Sequence, residues 1–206
     1  MALLIAISGA TASGKSTFAA QLCVLLEQWS PVLLNQDRYF RSFHEVQEDR
    51  REDVATSNHP RAVLWDELVS HLEALKSGLS VTVPVAGTRA RLRGDSPTDL
   101  GPSGIVIAEG HLLFNEDRIV GLADLLVFVD ANAHERVVRR LLRDTKSGKT
   151  MLEKATTWYR KDVIPNVGPY SEDLRDMADV IVPYDRDNKL AAQIVADWVG
   201  QRMASP

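Results

Sequence analysis

Apolar residues in this chain fall into short blocks of two kinds. Leu3 to Ile7 is a nearly continuous branched run, the pattern of a strand buried on both faces. From Thr17 to Trp29, Phe18, Leu22, Leu25, Leu26 and Trp29 recur at helical spacing until Pro31 closes the segment. Val32 to Leu34 predicts a second strand. Arg38 to Asn58 is charged and aperiodic, which predicts a flexible connection. Pro60 then opens a helical pattern through Val63, Leu64, Leu68, Leu72 and Leu75, with Gly78 as its stop. Val81 to Val85 alternates briefly, and Pro84 places it at a sheet edge because proline cannot donate to the ladder. Residues 86 to 104 carry four glycines and two prolines and predict a loop. Two further buried strands, Ile105 to Ala108 and Leu125 to Val129, each run into an acid, Glu109 and Asp130. Helices over His134 to Asp144, Met151 to Val163 and Lys189 to Met203, with a strand at Val180 to Val182, complete the pattern. The alternation argues for an α/β fold, a mainly parallel sheet with helices on both faces.

Composition narrows the setting. A chain of 206 residues, 45% hydrophobic and 25% charged, is expected to form a single domain over 1–206. Its 24 basic and 28 acidic residues give a net charge of -4, so nothing global draws it to nucleic acid or to an anionic membrane, and the expected partner is a small molecule. Self-association is left open by the sequence. The lone Cys23 excludes an internal disulfide and thiolate metal clusters, and predicts a reducing compartment. The apolar start lacks the preceding Lys or Arg of a secretory signal, and no run reaches the roughly 20 apolar residues of a membrane span. A cytoplasmic location is expected. His44, His59, His71, His111 and His134 show no zinc-ligand spacing.

The most specific local signal is Gly9-Ala10-Thr11-Ala12-Ser13-Gly14-Lys15-Ser16, two glycines separated by four residues and followed by Lys and a hydroxyl residue. It lies between a predicted strand and a predicted helix, which is the context such a phosphate-binding loop requires. Glycines let the backbone curl until successive N–H groups point inward, and the positive end of the following helix adds to them. Lys15 would reach the outer phosphates of a nucleoside triphosphate, Ser16 would place its oxygen on Mg²⁺, and Gly9, Ala12, Ser13, Gly14 and Thr17 would supply the cradle. The fold expected is therefore of the phosphate-loop NTPase type.

Further segments, taken in order, resemble the uridine kinase family, nucleoside kinases related to phosphoribulokinase. Asn35-Gln36-Asp37-Arg38-Tyr39-Phe40 resembles the family's segment after its second strand, Ala108-Glu109-Gly110-His111-Leu112-Leu113 its Glu-Gly motif, and Arg139 to Asp144 its basic lid, which would extend over about 139–150. Ala178 to Pro183 resembles its last strand. The resemblance spans roughly residues 3 to 200. It implies an ATP- and Mg²⁺-dependent kinase acting on a primary hydroxyl, first of all the 5′-hydroxyl of a ribonucleoside, with Asp37 as base and Glu109 joining Ser16 at the metal. Position supports both acids, because a carboxylate at a strand's carboxyl end beside the phosphate loop is where a base or metal ligand is wanted. Between 136 and 149 six cations stand against the single acid Asp144, which suits contact with transferring phosphate. Arg140 and Arg143 would act in catalysis and Lys149 in ATP binding.

The acceptor side departs from the family. Asn58 stands before His59-Pro60 where the family has Asp, and Ala86-Gly87 follow the edge strand where it has Tyr-Asp. The lid reads as one residue shorter than the family's. Candidate acceptor contacts are Asp37, Tyr39, Asn58, His59, Arg91 and Arg93, with Arg89 undecided. A kinase for nicotinamide riboside, a sugar phosphate or a hydroxy acid is the alternative within the class. A nucleotide-binding switch is the alternative outside it, against which Asp37 and the basic lid both count.

Overall fold

A computed structural model describes residues 1–42, 56–146, 148 and 150–204. Five strands, β1 (Leu3–Ser8), β2 (Val32–Asn35), β5 (Ile105–Glu109), β6 (Leu125–Asp130) and β7 (Val180–Pro183), form one all-parallel sheet in the order β2-β5-β1-β6-β7. Side chains alternate across it. Leu4 and Ala6 of β1, Val106 and Ala108 of β5, and Leu126 and Phe128 of β6 enter one apolar layer. Their neighbours Ile5, Ile7, Ile105, Ile107, Leu125, Val127 and Val129 enter the other. This period of two, in strands apolar on both faces, is why the strands read as continuous hydrophobic runs.

Each layer is closed by helices. Phe18, Ala19 and Leu22 of α1 (Lys15–Leu25) and Ala192, Val195, Ala196 and Val199 of α8 (Lys189–Ala204) cover the second layer. Leu68, Val69, Leu72 and Leu75 of α2 (Trp65–Lys76) and Ile119 of α4 (Asp117–Leu122) cover the first. None of the helices described is long and apolar enough to cross a membrane. From β1 the chain moves toward the β2 edge, and from β6 it moves toward β7. A crevice therefore opens beyond the carboxyl ends of the central strands, where α/β folds hold their ligands.

Three expectations change. Pro60 does not open the long helix: Pro60–Ala62 is a single 3₁₀ turn, and buried Val63 makes an antiparallel bridge to Phe40 before α2 begins at Trp65. Pairing of a β-branched residue with another segment has overridden the helical spacing. The stretch 86–104 is not all loop. It holds α3 (Arg89–Leu92), started by Thr88 accepting from Arg91 N, and β4 (Thr98–Leu100). β3 (Val81–Val83) pairs antiparallel with β4 in a two-stranded ribbon apart from the main sheet, so it is an edge strand as Pro84 predicts. The helix expected over 151–163 is α6 (Leu152–Trp158), a wider π turn at Tyr159–Val163, and α7 (Ile164–Tyr170). Of the charged connection, Gln36–Tyr39 forms a 3₁₀ turn, and 43–55 lies outside the described residues. The basic segment forms α5 (Ala133–Thr145) as expected.

Phe18 is fully buried and meets the Tyr184 ring edge-on at 6.1 Å, joining α1 to the segment after β7. Phe18→Ala should cost about 3–5 kcal/mol by urea denaturation, and a loss below about 1 kcal/mol would contradict this packing.

Candidate active site

The loop between β1 and α1 is shaped by backbone constraint. Gly9 and Gly14 adopt φ of 149° and 101°. A Cβ at Gly9 would overlap the Val129 carbonyl, and one at Gly14 the Tyr184 ring. Gly14 ends the loop and begins α1, so the helix's free N–H groups face the crevice. Ala12 also has positive φ, at 60°. Ser13 is wholly buried and its Oγ has no hydrogen-bond partner among the described residues. An unpaired buried hydroxyl in this loop leaves a donor free for a phosphate oxygen.

Beside the loop, β2 and β5 end together, with Asn35 and Glu109 paired in register. Asn35 spans the gap: its Nδ2 donates to Glu109, and its Oδ1 accepts from Asp37 N at 2.6 Å. Buried Gln36 makes a second tie by accepting from Leu112 N at 3.1 Å. Glu109 is only 2% exposed, and Ser16 Oγ lies 3.1 Å from both of its oxygens. Burial pushes its carboxyl above the ordinary range, opposed by the Lys15 charge and the Ser16 hydrogen bond. Burial likewise depresses the Lys15 ammonium, while Glu109 and Asp37 pull it back. A hydroxyl and a carboxylate are hard oxygen donors of the sort magnesium takes alongside phosphate and water, so Ser16 and Glu109 fit that ion.

The basic helix divides its arginines. Arg136 is 4% exposed, donates from Nε to the Ala131 carbonyl at 2.9 Å and pairs with Glu172. Arg139 joins Glu135 to the carbonyls of Tyr184 and Asp185. Both hold structure together. Arg140 instead reaches across to Thr11 Oγ1 at 2.5 Å, pairs with Asp144 at 2.7 Å and lies over the Trp158 ring at 4.6 Å. Burial lowers its pKa, and the hydrogen bond to Asp144 opposes this. Arg143, more exposed, also pairs with Asp144.

One cleft of about 250 Å³ gathers Lys15, Ser16, Asp37, Asn58, Arg93, Glu109, Arg140 and Arg143 from the sequence-derived candidates. Tyr39, His59 and Arg91 do not line it. Tyr39 is buried with its hydroxyl 2.7 Å from His71 Nδ1. His59 accepts from Arg61 N and meets the Tyr170 hydroxyl at 2.9 Å. Arg91 lines a separate cavity with Arg41, Ala86 and Gly87. The helical spacing of α3 accounts for this, since Arg89 and Arg93 lie four residues apart on one face and Arg91 points elsewhere. Lys149 lies outside the described residues.

The cleft also contains Arg89, which the sequence leaves undecided, and Thr11, Phe40, Ser57 and His111, to which the sequence assigns no site role. His111 belongs to the Glu-Gly segment Ala108–Leu113, yet neither that motif nor the absence of zinc-ligand spacing gives it a role. Its Nε2 lies 2.8 Å from the Ser57 carbonyl, an acceptor, so Nε2 carries the proton and Nδ1 holds the lone pair of the neutral ring. Burial, with Lys15 adding to it, pushes its pKa down to about 4. In the sequence Asn35 stands out only as the first residue of the Asn35–Phe40 segment. Its pairing opposite Glu109 follows from sheet register, which the chain's linear order does not display.

Comparison with known proteins gives the same architecture a relationship. The model of the Phosphoribulokinase / Uridine kinase family matches residues 4–191. A uridine kinase from Clostridium perfringens is 34% identical over 195 residues, covering 94% of this chain and 92% of its own. A uridine kinase from Halalkalibacterium halodurans is 31% identical over 193 residues, covering 94% and 91%. Among solved structures, a protein described as a putative fructose transport system kinase from Silicibacter sp. TM1040 superposes with a TM-score of 0.69 at 20% identity, over 88% of this chain and 90% of its own.

The His111 shift has a pH consequence. An unfolded chain protonates histidine below about 6.5, whereas folded His111 resists until about 4. Its neutral form therefore supports the fold above pH 6.5, and that support is lost as pH falls toward 4. Urea denaturation at pH 7 and pH 5 should show the wild type losing on the order of 1 kcal/mol more than His111→Phe. Equal losses would contradict the assignment.

Proposed function

Given that this chain belongs to the phosphoribulokinase / uridine kinase family, we propose that it transfers the γ-phosphoryl group of ATP to a primary hydroxyl of a small molecule, first among them the 5′-hydroxyl of a ribonucleoside. The observation that carries this reading is the placement of Asp37. It stands past the end of β2 in the same cleft as Lys15, Ser16, Glu109, Arg140 and Arg143, with its backbone N–H fixed by Asn35.

In this reading the loop amides, Ser13 and Lys15 hold the phosphates, and Thr17 follows at the start of α1. Ser16 and Glu109 would hold magnesium, which when bound neutralises charge on the outer phosphates. Asp37 orients the acceptor hydroxyl and takes its proton as the oxygen bonds to the γ-phosphorus. The bond from that phosphorus to the bridging oxygen breaks, and ADP leaves with the electron pair. Arg140 and Arg143 face the transferring group from the helix that would form the lid, with Lys149 assigned to it as well. Catalysis is positioning plus fixed charge in a cleft with little water. Free Cys23 suits a reducing compartment, and the reaction is assigned to the cytoplasm.

A second reading of the acceptor has its own support. Ala86 and Gly87 face the separate cavity, while Arg89 and Arg93 line the cleft. The cleft thus carries two arginines from α3 and its C-terminal end, which favours an anionic acceptor such as a sugar phosphate or hydroxy acid.

Asp37→Asn should lower kcat by about 10²- to 10⁴-fold while the KM for ATP stays near wild type, and unchanged turnover would remove the base assignment. Lys15→Ala should impair turnover with every acceptor, because it strips charge from the outer phosphates; normal rates would refute the phosphate-loop reading. The two acceptor readings separate in steady-state kinetics. A kcat/KM for uridine of about 10⁵ M⁻¹s⁻¹ or better supports the nucleoside, and a sugar phosphate or hydroxy acid outrunning uridine tenfold or more supports the anion.

A further inference from the structure

Arg140 is held from three sides. Its Nε donates to Asp144 on its own helix at 2.7 Å, and its Nη1 donates to Thr11 in the phosphate loop at 2.5 Å. These two bonds use two of the five N–H groups that an arginine carries. The third contact differs in kind. Arg140 Cζ lies over the face of the Trp158 ring, 4.6 Å from its centroid, so the indole meets the flat side of the cation. Stacking fixes the plane of a guanidinium without consuming a donor, and the remaining N–H groups stay free on its edge in the cleft that Arg140 lines. Arg143 shows the contrast, since among the described residues it has Asp144 alone and its side chain is 59% exposed. Trp158 is the last residue of α6, and the wider π turn Tyr159–Val163 begins directly after it. Single π turns set into α-helices concentrate at functional sites. Nothing in the sequence motifs marks Trp158.

We propose that Trp158 is a positioning residue for Arg140: its ring holds the guanidinium beside the phosphate loop before any nucleotide binds, so that the charge met by the transferring group is already in place. This rests on the reading of the cleft as a kinase site in which Arg140 faces that group. A long side chain free to rotate spreads over many rotamers, and ordering it during each turnover subtracts from what its charge contributes. A guanidinium fixed in advance costs no such reorganisation at the moment of reaction. Two consequences follow from the geometry. Lys15, Ser16 and the loop amides hold the phosphates in the ground state, so loss of the ring lowers kcat and spares nucleotide affinity. The ring acts through Arg140, so its effect disappears when Arg140 is gone. The helix α6, which carries no residue of the phosphate or acceptor motifs, thereby sets part of the rate.

The test is a double-mutant cycle on kcat, run with Mg-ATP and whichever nucleoside, sugar phosphate or hydroxy acid the wild type phosphorylates fastest. Trp158→Leu should lower kcat about 3- to 30-fold, while calorimetric affinity for a non-hydrolysable ATP analogue with Mg²⁺ stays within about threefold. In an Arg140→Ala background the same substitution should change kcat by less than about twofold. Trp158→Phe keeps an aromatic face and should recover part of the loss. A tryptophan with several ring fluorines, introduced at position 158 alone, keeps nearly the same shape but attracts a cation less, so kcat should fall with each added fluorine. That protein also decides the matter if Trp158→Leu fails to fold. Equal effects of Trp158→Leu in both backgrounds, or a kcat indifferent to fluorination, would overturn the positioning role and leave Trp158 as packing between α5 and α6. Failure of the underlying reading looks different. A wild type that phosphorylates no acceptor ends the kinase reading and this inference with it, whereas full turnover by Arg140→Ala removes Arg140 and Trp158 from the reaction and leaves the kinase standing.

Discussion

The site is organised around a carboxylate that water hardly reaches. Glu109 ends a central strand at 2% exposure, and burying a charge so far from solvent is costly unless partners surround it. The partners arrive from three directions. Ser16 comes from the first turn of α1, Asn35 from the adjacent strand β2, and the Lys15 charge acts from the phosphate loop. Each partner has a second task. Lys15 is the residue proposed for phosphate and Ser16 for magnesium, and Asn35 fixes the backbone of Asp37. The stabilisation of Glu109 is thus the same set of contacts that brings the phosphate loop and the candidate base into one cleft.

Much of the phosphate side was legible in the linear sequence because its determinants are local. The glycine spacing, the hydroxyl residue after Lys15 and the branched apolar runs each express a constraint within a few residues, and the alternation of strands and helices follows from periodicity alone. The parallel sheet, α1 and α5 came out as expected. Where the reading slipped, a distant segment had decided the matter. Val63 left its helical pattern to pair with Phe40, and Thr98–Leu100 became a strand because Val81–Val83 lies beside it.

The acceptor side was less legible for the same reason. Tyr39 and His59 sit in the right stretches of sequence, yet their side chains pair with His71 and Tyr170 away from the cleft. Arg91 belongs to an arginine-rich turn whose four-residue helix sends Arg89 and Arg93 the other way. His111 had no spacing that marked it, and only the folded chain sets it in the cleft. The residues proposed for phosphate are neighbours in one loop, whereas those proposed for the acceptor come from segments far apart in the chain. A family motif therefore transfers the first more readily than the second.

The central claim is that this cleft passes phosphate to a hydroxyl rather than to water. Phosphorus NMR of a reaction containing the protein, Mg-ATP and a mixture of nucleosides, sugar phosphates and hydroxy acids tests it most directly. The account predicts a phosphomonoester signal growing in step with ADP, well ahead of free phosphate. ADP accompanied only by inorganic phosphate, at a rate that no acceptor changes, would contradict it and support a hydrolytic switch instead.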